Sequence, residues 1–305
     1  MHHTTHIRKF ELKDIQQLTL IYNIVNGISD TDQAYDTELM LEFLSKPSKP
    51  WNHCILAERK NSLIGFSVIQ PELGIKRVVA SGGVLKSQGY KDVGRQLILA
   101  SMKHAQSLNV DLIHIEIPSD CVTGKHVLES IGFSPVRSYY QMEWTNGFIP
   151  KLTIPDGFSV RNFVLSKDEK LLTELQNTIF TQSWGFCPNT VEEIKSRVRF
   201  KLCSEDGIKL LFCGDVPAAF NWTTRTSAKE SSTGWISMTG VAPNYRGTGL
   251  GMTTILCGMQ YLKSKGVSKI NLQVDSQNNH AIKIYSKLGF EKIAETTWYE
   301  KSLLS

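Results

Sequence analysis

The chain has 305 residues, of which 41% are hydrophobic and 21% charged, and its formal net charge is +5. This length suits two domains better than one, and the composition is that of a soluble globular protein. No run of about 18 apolar residues occurs and no apolar signal segment follows Met1, so we expect a cytoplasmic protein without a membrane partner.

Six cysteines are scattered through the chain without a CxxC pair, which predicts reduced thiols and no metal site. The positive charges do not form a stripe interleaved with aromatic residues, so nucleic acid is not an expected partner. The mild positive charge permits a phosphate-rich cofactor without requiring one. The oligomeric state is left open.

The predicted elements of the first half are a hairpin, a strand, a helix, a strand and a helix. In chain order they cover residues 53–58 with 63–70, 77–84, 93–107, 112–117 and 123–130.

The second half begins with a strand at 158–163, followed by two helices. Ser166 and Glu169 have the spacing of a capping box and predict a helix to about residue 182, and Thr190 and Glu193 predict a second to about residue 200. The remaining elements are a hairpin, a strand, a helix, a strand, a helix and a strand, at 208–213 with 218–224, 235–241, 249–264, 269–274, 278–288 and 296–301. An antiparallel sheet followed by a β-α-β crossover predicts an α+β (mixed α/β) fold.

The two halves repeat each other. Residues 128–133 match residues 285–290, and the same offset of 157 pairs Gly94 with Gly251. Turn-forming residues cluster at 144–157. We therefore predict a first domain at 1–147, a linker at 148–157 and a second domain at 158–305, each a mostly antiparallel mixed sheet flanked by helices.

A glycine-rich loop joins the predicted strand ending at Val241 to the next helix. Its sequence from Arg246 is RGTGLG, and glycines there allow positive φ angles and close approach of a ligand. A helix N-terminus presents free N–H groups that favour a phosphate. The loop fits neither a dinucleotide-binding fingerprint nor a nucleotide P-loop, and alone it also fits a plain turn that caps a helix.

The loop occurs with other residues in a fixed order. Arg246-x-x-Gly249-x-Gly251 follows Val241-x-Pro243 and precedes Asn278-x-x-Ala281-x-x-x-Tyr285 and Gly289-Phe290. This set, from about residue 235 to 290, resembles the GCN5-related N-acetyltransferase (GNAT) superfamily. The resemblance implies two tandem GNAT-like domains and acetyl-CoA as co-substrate.

The resemblance also implies where the cofactor binds. The main chain of the loop would hold the pyrophosphate, at Arg246, Gly247, Thr248, Gly249, Leu250 and Gly251. The strand carrying Thr239 and Val241 would pair with the pantetheine arm, beside a gap next to strand 269–274. Asn278 would bond the pantetheine or order the active site.

Tyr285 would lie near the thioester sulfur and act as general acid. A phenol with an ordinary pKa near 10 is protonated at neutral pH, as a proton donor to a departing thiolate must be. The alternative for a tyrosine in a short helix is core packing. The sequence does not identify the base that deprotonates the amine. Three candidates are considered, and for each we prefer the interpretation as a solvated residue to that as the base: Asp275, Glu230 and His280.

The first half lacks the chemical residues of the second. At the same offset, the first half has Gly89 where the second has Arg246, and Asp92 where the second has Gly249. It has Cys121 in place of Asn278 and Leu128 in place of Tyr285. Asp92 would repel a pyrophosphate in a desolvated pocket. We therefore predict that the first domain is not catalytic and interpret Cys121 as a buried inert thiol.

The predicted function is N-acetylation of the primary amine of a small molecule by direct attack on the thioester of acetyl-CoA. Two alternatives stay open. One is acetylation of a protein or peptide amine, and the other is a non-catalytic CoA-binding module.

Overall fold

The computed structural model describes residues 4–27, 34–45, 51–86, 89–145, 147–225 and 233–304. Glu230, considered above as a base, lies outside these residues. Contacts divide the chain into two compact units: the first unit comprises Met1–Ser138 and Glu295–Ser305, and the second unit comprises Tyr139–Ala294.

In its described residues, the first sequence repeat contains six strands and four α-helices. They are β1 (His6–Lys9), α1 (Ile15–Val25), α2 (Thr37–Leu44), β2 (Cys54–Arg59), β3 (Ser62–Glu72), β4 (Arg77–Val84), α3 (Tyr90–Gln106), β5 (Leu112–Pro118), α4 (Val122–Ser130) and β6 (Ser134–Thr145). The second repeat follows the same order. Its elements are β7 (Phe158–Asn162), α5 (Glu169–Phe180), α6 (Val191–Val198), β8 (Cys203–Cys213), β9 (Val216–Arg225), β10 (Thr233–Val241), α7 (Leu250–Ser264), β11 (Lys269–Asp275), α8 (Asn279–Lys287) and β12 (Glu291–Ser302).

Each unit has one mixed sheet. The strand order is β1-β2-β3-β4-β5 in the first unit and β11-β10-β9-β8-β7 in the second. Within each of these five-stranded sets, the pairs are antiparallel except β4 with β5 and β10 with β11, which are parallel. The predicted α+β architecture is confirmed.

The duplication extends to the bounds of the elements. β5, α4 and β6 map onto β11, α8 and β12 at the offset of 157 that the sequence suggests. β6 is missing from the sequence prediction, which places turn-forming residues from 144 onward, whereas the strand continues to Thr145. Residues 147–157 contain neither helix nor strand.

The two repeats exchange their final strands. The last strand of the first repeat, β6, pairs with a strand of the second, and the last strand of the second, β12, pairs with a strand of the first. Residues 139–145 of β6 run antiparallel to β11, from Tyr139 opposite Asp275 to Thr145 opposite Lys269. Residues 296–302 of β12 run antiparallel to β5. The contact-based units therefore differ from the predicted domains at both ends, because repetition locates the duplication whereas strand pairing determines the units.

Local signals explain where the first two helices of the second repeat begin. Thr190 accepts a hydrogen bond from the Glu193 amide at 3.2 Å, and its own amide donates to Glu193 Oε2 at 2.7 Å, so the predicted capping box forms. The other box forms only in part. The Ser166 amide donates to Glu169 Oε1 at 2.7 Å, but Ser166 has a φ of 65° and the helix begins two residues later than a cap at Ser166 predicts.

None of the helices in the described residues has the length and apolar character that crossing a bilayer requires.

Three histidines of the first unit make its stability sensitive to acid. Burial lowers the pKa of His53, His104 and His114 below the usual 6.5, and His53 Nδ1 lies 2.6 Å from His104 Nε2. Below pH 6.5 these histidines therefore bind protons in the unfolded chain while they are still neutral in the folded unit. The free energy of unfolding consequently falls as the pH falls. We expect a lower Tm at pH 5 than at pH 7.

Thermal melting across this pH range checks the expectation, and the variants His104→Gln and His114→Gln should flatten the dependence. A Tm in the wild type that stays constant or rises on acidification would contradict it.

Candidate functional site

The loop before α7 presents a series of free main-chain donors. Gly247 and Gly249 have φ angles of 82° and 89°, and Gly249 is the N-cap of the helix. In the described chain, the N–H groups of residues 247–251 have no acceptor, and Met252 is the first residue of the helix whose amide is bonded, to the Gly249 carbonyl at 3.2 Å. Consecutive free amides at a helix N-terminus form an anion-binding site.

The Arg246 side chain holds this loop against the elements around it. Its Nε donates to the Val241 carbonyl at 3.2 Å, and its Nη2 donates to the Ile179 carbonyl at the end of α5, also at 3.2 Å. The Thr248 hydroxyl donates to the Tyr245 carbonyl at 2.7 Å. The sequence prediction considered only the main chain of Arg246 and missed this positioning role.

Removing that side chain is expected to loosen the loop without unfolding the unit. Because Arg246 is exposed and donates two hydrogen bonds, Arg246→Ala should weaken binding of acetyl-CoA by about tenfold, the equivalent of about 1.4 kcal/mol. Calorimetric titration measures the change, and Arg225→Ala on β9 serves as a control. Unchanged affinity would show that the loop keeps its form without these bonds.

The strands on either side of the loop separate toward it. β10 and β11 pair at only three positions, the last being Trp235 opposite Asn271. Beyond this point β10 continues to Val241 paired with β9 alone, after a register shift between Ile236 and Met238. The gap predicted beside strand 269–274 is present.

Thr239 and Val241 both belong to this separated part of β10 and are half-buried. The Thr239 hydroxyl donates to the Phe220 carbonyl at 3.1 Å. The edge of β10 that faces the gap is thus available to a ligand that pairs as an added strand.

Helix α8 carries the two remaining predicted site residues. Asn278 is exposed and caps the helix, its Oδ1 accepting from the Ala281 amide at 3.1 Å. Tyr285 is only 7% exposed, and burial raises its pKa to about 12. Its ring lies 5.9 Å from that of Phe290, and its hydroxyl has no hydrogen-bond partner within the described ranges. Tyr285 therefore packs in the core and still carries a free, protonated donor.

The sheet of the second unit has one face packed against α7 and another face on the opposite side. Strand β6 contributes residues to that opposite face, which the sequence prediction missed. Met142 and Trp144 pack in the core with α7, so the alternate residues Tyr139, Gln141 and Glu143 point to the other face. The Tyr139 ring lies 6.4 Å from that of Trp184, in the segment after α5. The repeat was the available signal, since β6 corresponds to the predicted last strand of the second half.

Of the two described residues considered as bases, the carboxylate is half-buried and the imidazole is exposed. Asp275 accepts a hydrogen bond from the Gln277 amide at 2.9 Å at the end of β11. His280 is exposed in the first turn of α8. Glu143 Oε1 lies 3.7 Å from Lys269 Nζ on the face that carries Tyr139.

The corresponding residues of the first unit have different surroundings. Asp92 lies in the exposed first turn of α3, and Leu128 is fully buried. Cys121, the residue before α4, is half-buried and not fully buried as predicted, and its sulfur lies 3.5 Å from the Tyr90 hydroxyl.

The loop and helix just described lie within a stretch of the chain that matches a known protein family. Residues 171–290 match the acetyltransferase (GNAT) family. This part of the chain is a GNAT acetyltransferase domain. The predicted class is confirmed, and the chain is an N-acetyltransferase.

Relatives of this chain match it across both repeats. A mycothiol acetyltransferase from Stackebrandtia nassauensis is 27% identical over 289 residues, which cover 91% of each chain. The tandem layout of this chain and the sequence of its residues 177–193 also resemble mycothiol synthase.

Solved structures show the same fold. A GCN5-related N-acetyltransferase from Sphaerobacter thermophilus has a TM-score of 0.77 at 17% identity and covers 99% of this chain and 96% of its own. A tandem GNAT protein from the clavulanic acid biosynthesis pathway has a TM-score of 0.73 at 11% identity, with 99% coverage of both chains. The tandem GNAT fold is therefore confirmed.

Proposed function

We propose that the chain transfers an acetyl group from acetyl-CoA to the primary amine of a small molecule. The observation that carries the proposal is the run of five free N–H groups, at residues 247–251, beside the gap between β10 and β11. The amides fit a pyrophosphate and the open strand edge fits a chain that contains amides. Relatives with the name mycothiol acetyltransferase support a small-molecule acceptor.

The transfer is a direct exchange at the thioester. The amine nitrogen bonds to the carbonyl carbon, the carbon–sulfur bond breaks, and the nitrogen loses a proton to solvent. Holding the two reactants in contact supplies much of the acceleration in such a reaction. The acceptor enters from the face of the sheet that carries Tyr139, whose ring lies 6.4 Å from that of Trp184.

Tyr285 acts on the leaving thiolate. Its pKa of about 12 lies above that of a thiol, near 8.5, so full transfer of its proton to sulfur is unfavourable. Its hydroxyl instead donates a hydrogen bond to the sulfur as negative charge develops there. Asn278 keeps the start of α8 in place through its cap and leaves its amide Nδ2 as a donor to the cofactor.

Calorimetric titration with acetyl-CoA, followed by a screen of amines for CoA release, tests the proposal. A stoichiometry near one and turnover with a small amine support it. Turnover with peptides alone would favour a protein acetyltransferase, and binding without turnover would favour a CoA-binding module. Absence of binding would refute the proposal itself.

A further inference from the structure

A pocket of about 90 Å³ lies in the second unit, where β8 begins and β9 ends. Its wall comprises residues 201–204, residues 223–225 and Tyr261 of α7. We propose that this pocket binds an oxyanion, and specifically a phosphate group. It is separate from the loop at 247–251, because Tyr261 follows Leu250 by eleven residues, roughly 16 Å along α7.

The charge of the ligand is inferred from the side chains around the pocket. The described residues that line it include two exposed cations, Lys201 and Arg225, and no carboxylate. Two more ammonium groups are close, since Lys209 Nζ and Lys265 Nζ lie 5.4 and 5.5 Å from the centre of the Tyr261 ring. A cleft lined by charges of one sign concentrates their field and attracts ions of the opposite sign.

Two carboxylates line the neighbouring cavity, and both already accept hydrogen bonds. Glu205 Oε2 accepts from the Leu165 amide at 3.0 Å, and Asp206 Oδ1 accepts from Asn162 Nδ2 at 2.9 Å. Cys203 belongs to the walls of both cavities and adds no negative charge, because burial raises the pKa of its thiol to about 11. The four cations therefore outnumber the two carboxylates around the pocket.

Three side chains of the wall carry hydrogen-bond donors that have no acceptor in the described chain. They are the guanidinium of Arg225 and the hydroxyls of Ser204 and Tyr261. Tyr261 is only 8% exposed, and a buried donor without an acceptor costs free energy. A ligand that accepts hydrogen bonds would remove this cost.

The phosphate group is inferred from the number and placement of these donors. The start of β8, the end of β9 and α7 contribute one each, so the ligand has to accept from three sides. A phosphate has three or more acceptor oxygens in a tetrahedral arrangement, whereas a carboxylate has two in one plane. An arginine binds phosphate through two parallel N–H···O bonds. The hydroxyls of Thr223 and Thr224, also in the wall, are already hydrogen-bonded within the protein.

Calorimetric titration of the full chain with Gly249→Asp tests the proposal, because this change removes competition from the loop at 247–251. Inorganic phosphate should bind, and at least fivefold more tightly than acetate. Its affinity should fall as NaCl is added, since the cations are exposed. Ethyl phosphate distinguishes two sources of the group. Binding as tight as that of inorganic phosphate indicates the phosphate of a larger molecule, and weaker binding indicates the free ion.

Arg225→Gln should weaken phosphate binding about tenfold or more, because it removes a charge-assisted hydrogen bond. Arg95→Gln removes the same charge from an exposed position on α3 and is the matched control, which should keep the affinity. Ser204→Ala removes a neutral hydroxyl and should weaken binding roughly fivefold. If Arg225→Gln does not fold, Ser204→Ala and Lys201→Gln test the same pocket.

The proposal is overturned if phosphate does not bind the Gly249→Asp chain or if acetate binds as tightly. It is also overturned if Arg225→Gln and Arg95→Gln weaken binding equally, which would indicate attraction to the net charge alone. In a chain that keeps Gly249, Arg225→Gln should leave the Kd for acetyl-CoA unchanged. The inference does not depend on acetyl transfer, so its failure leaves the proposed function intact.

Discussion

Gly249→Asp is expected to weaken acetyl-CoA binding by about 100-fold or more. Gly249 has a φ of 89°, and it caps the helix whose first N–H groups are free. An aspartate there strains the backbone and places a negative charge where the pyrophosphate would bind. Such a juxtaposition of like charges costs several kcal/mol, and about 2.7 kcal/mol corresponds to 100-fold in Kd. Calorimetric titration gives the ratio.

Two control variants separate charge from strain. Gly249→Asn has nearly the same shape as Asp and tolerates positive φ, so it should lose much less affinity. Gly266→Asp makes the same change at the other end of α7, where φ is 78°, and should lower the Tm without affecting the Kd. Equal losses for Asp and Asn at residue 249 would mean that loop shape, and not charge, determines binding.

Tyr285→Phe is expected to reduce kcat by roughly 10²- to 10³-fold, the usual effect of losing one hydrogen bond to developing charge. The hydroxyl has no partner in the described chain and its ring packs in the core, so the variant should fold normally and keep its Kd for acetyl-CoA. Steady-state kinetics with calorimetry distinguishes the two quantities.

Tyr261→Phe is the matched control, because Tyr261 is also buried in the second unit, at 8% exposed. It should leave kcat unchanged. If Tyr285→Phe retains full activity, Tyr285 is a packing residue only, and the leaving thiolate is stabilised by another donor.

The sequence was sufficient for features that depend on local pattern. Capping spacing located the helix at Val191, the predicted strand at 77–84 has the observed bounds of β4, and the glycines at 247 and 249 indicated positive φ. These features depend on interactions between residues a few positions apart, so a single sequence contains the information.

Features that depend on distant pairing were missed. Nothing in residues 134–145 indicates that β6 pairs with β11, more than 120 residues later. The bonds from Arg246 to the Ile179 carbonyl and the contact of Tyr139 with Trp184 likewise join segments that are far apart in sequence. Burial of Tyr285, which raises its pKa to about 12, is also set by tertiary packing.

The exchange of terminal strands constrains how the two copies could diverge. Two separate copies with this strand pairing would each complete the sheet of the other, as in a domain-swapped dimer, and in this chain residues 147–157 join the two copies. The first copy can therefore diverge in its loop before α3, but it must keep its last strand, because that strand pairs with β11 in the other sheet. The same constraint applies to protein engineering, since cutting the chain in the linker separates each sheet from the strand that completes it.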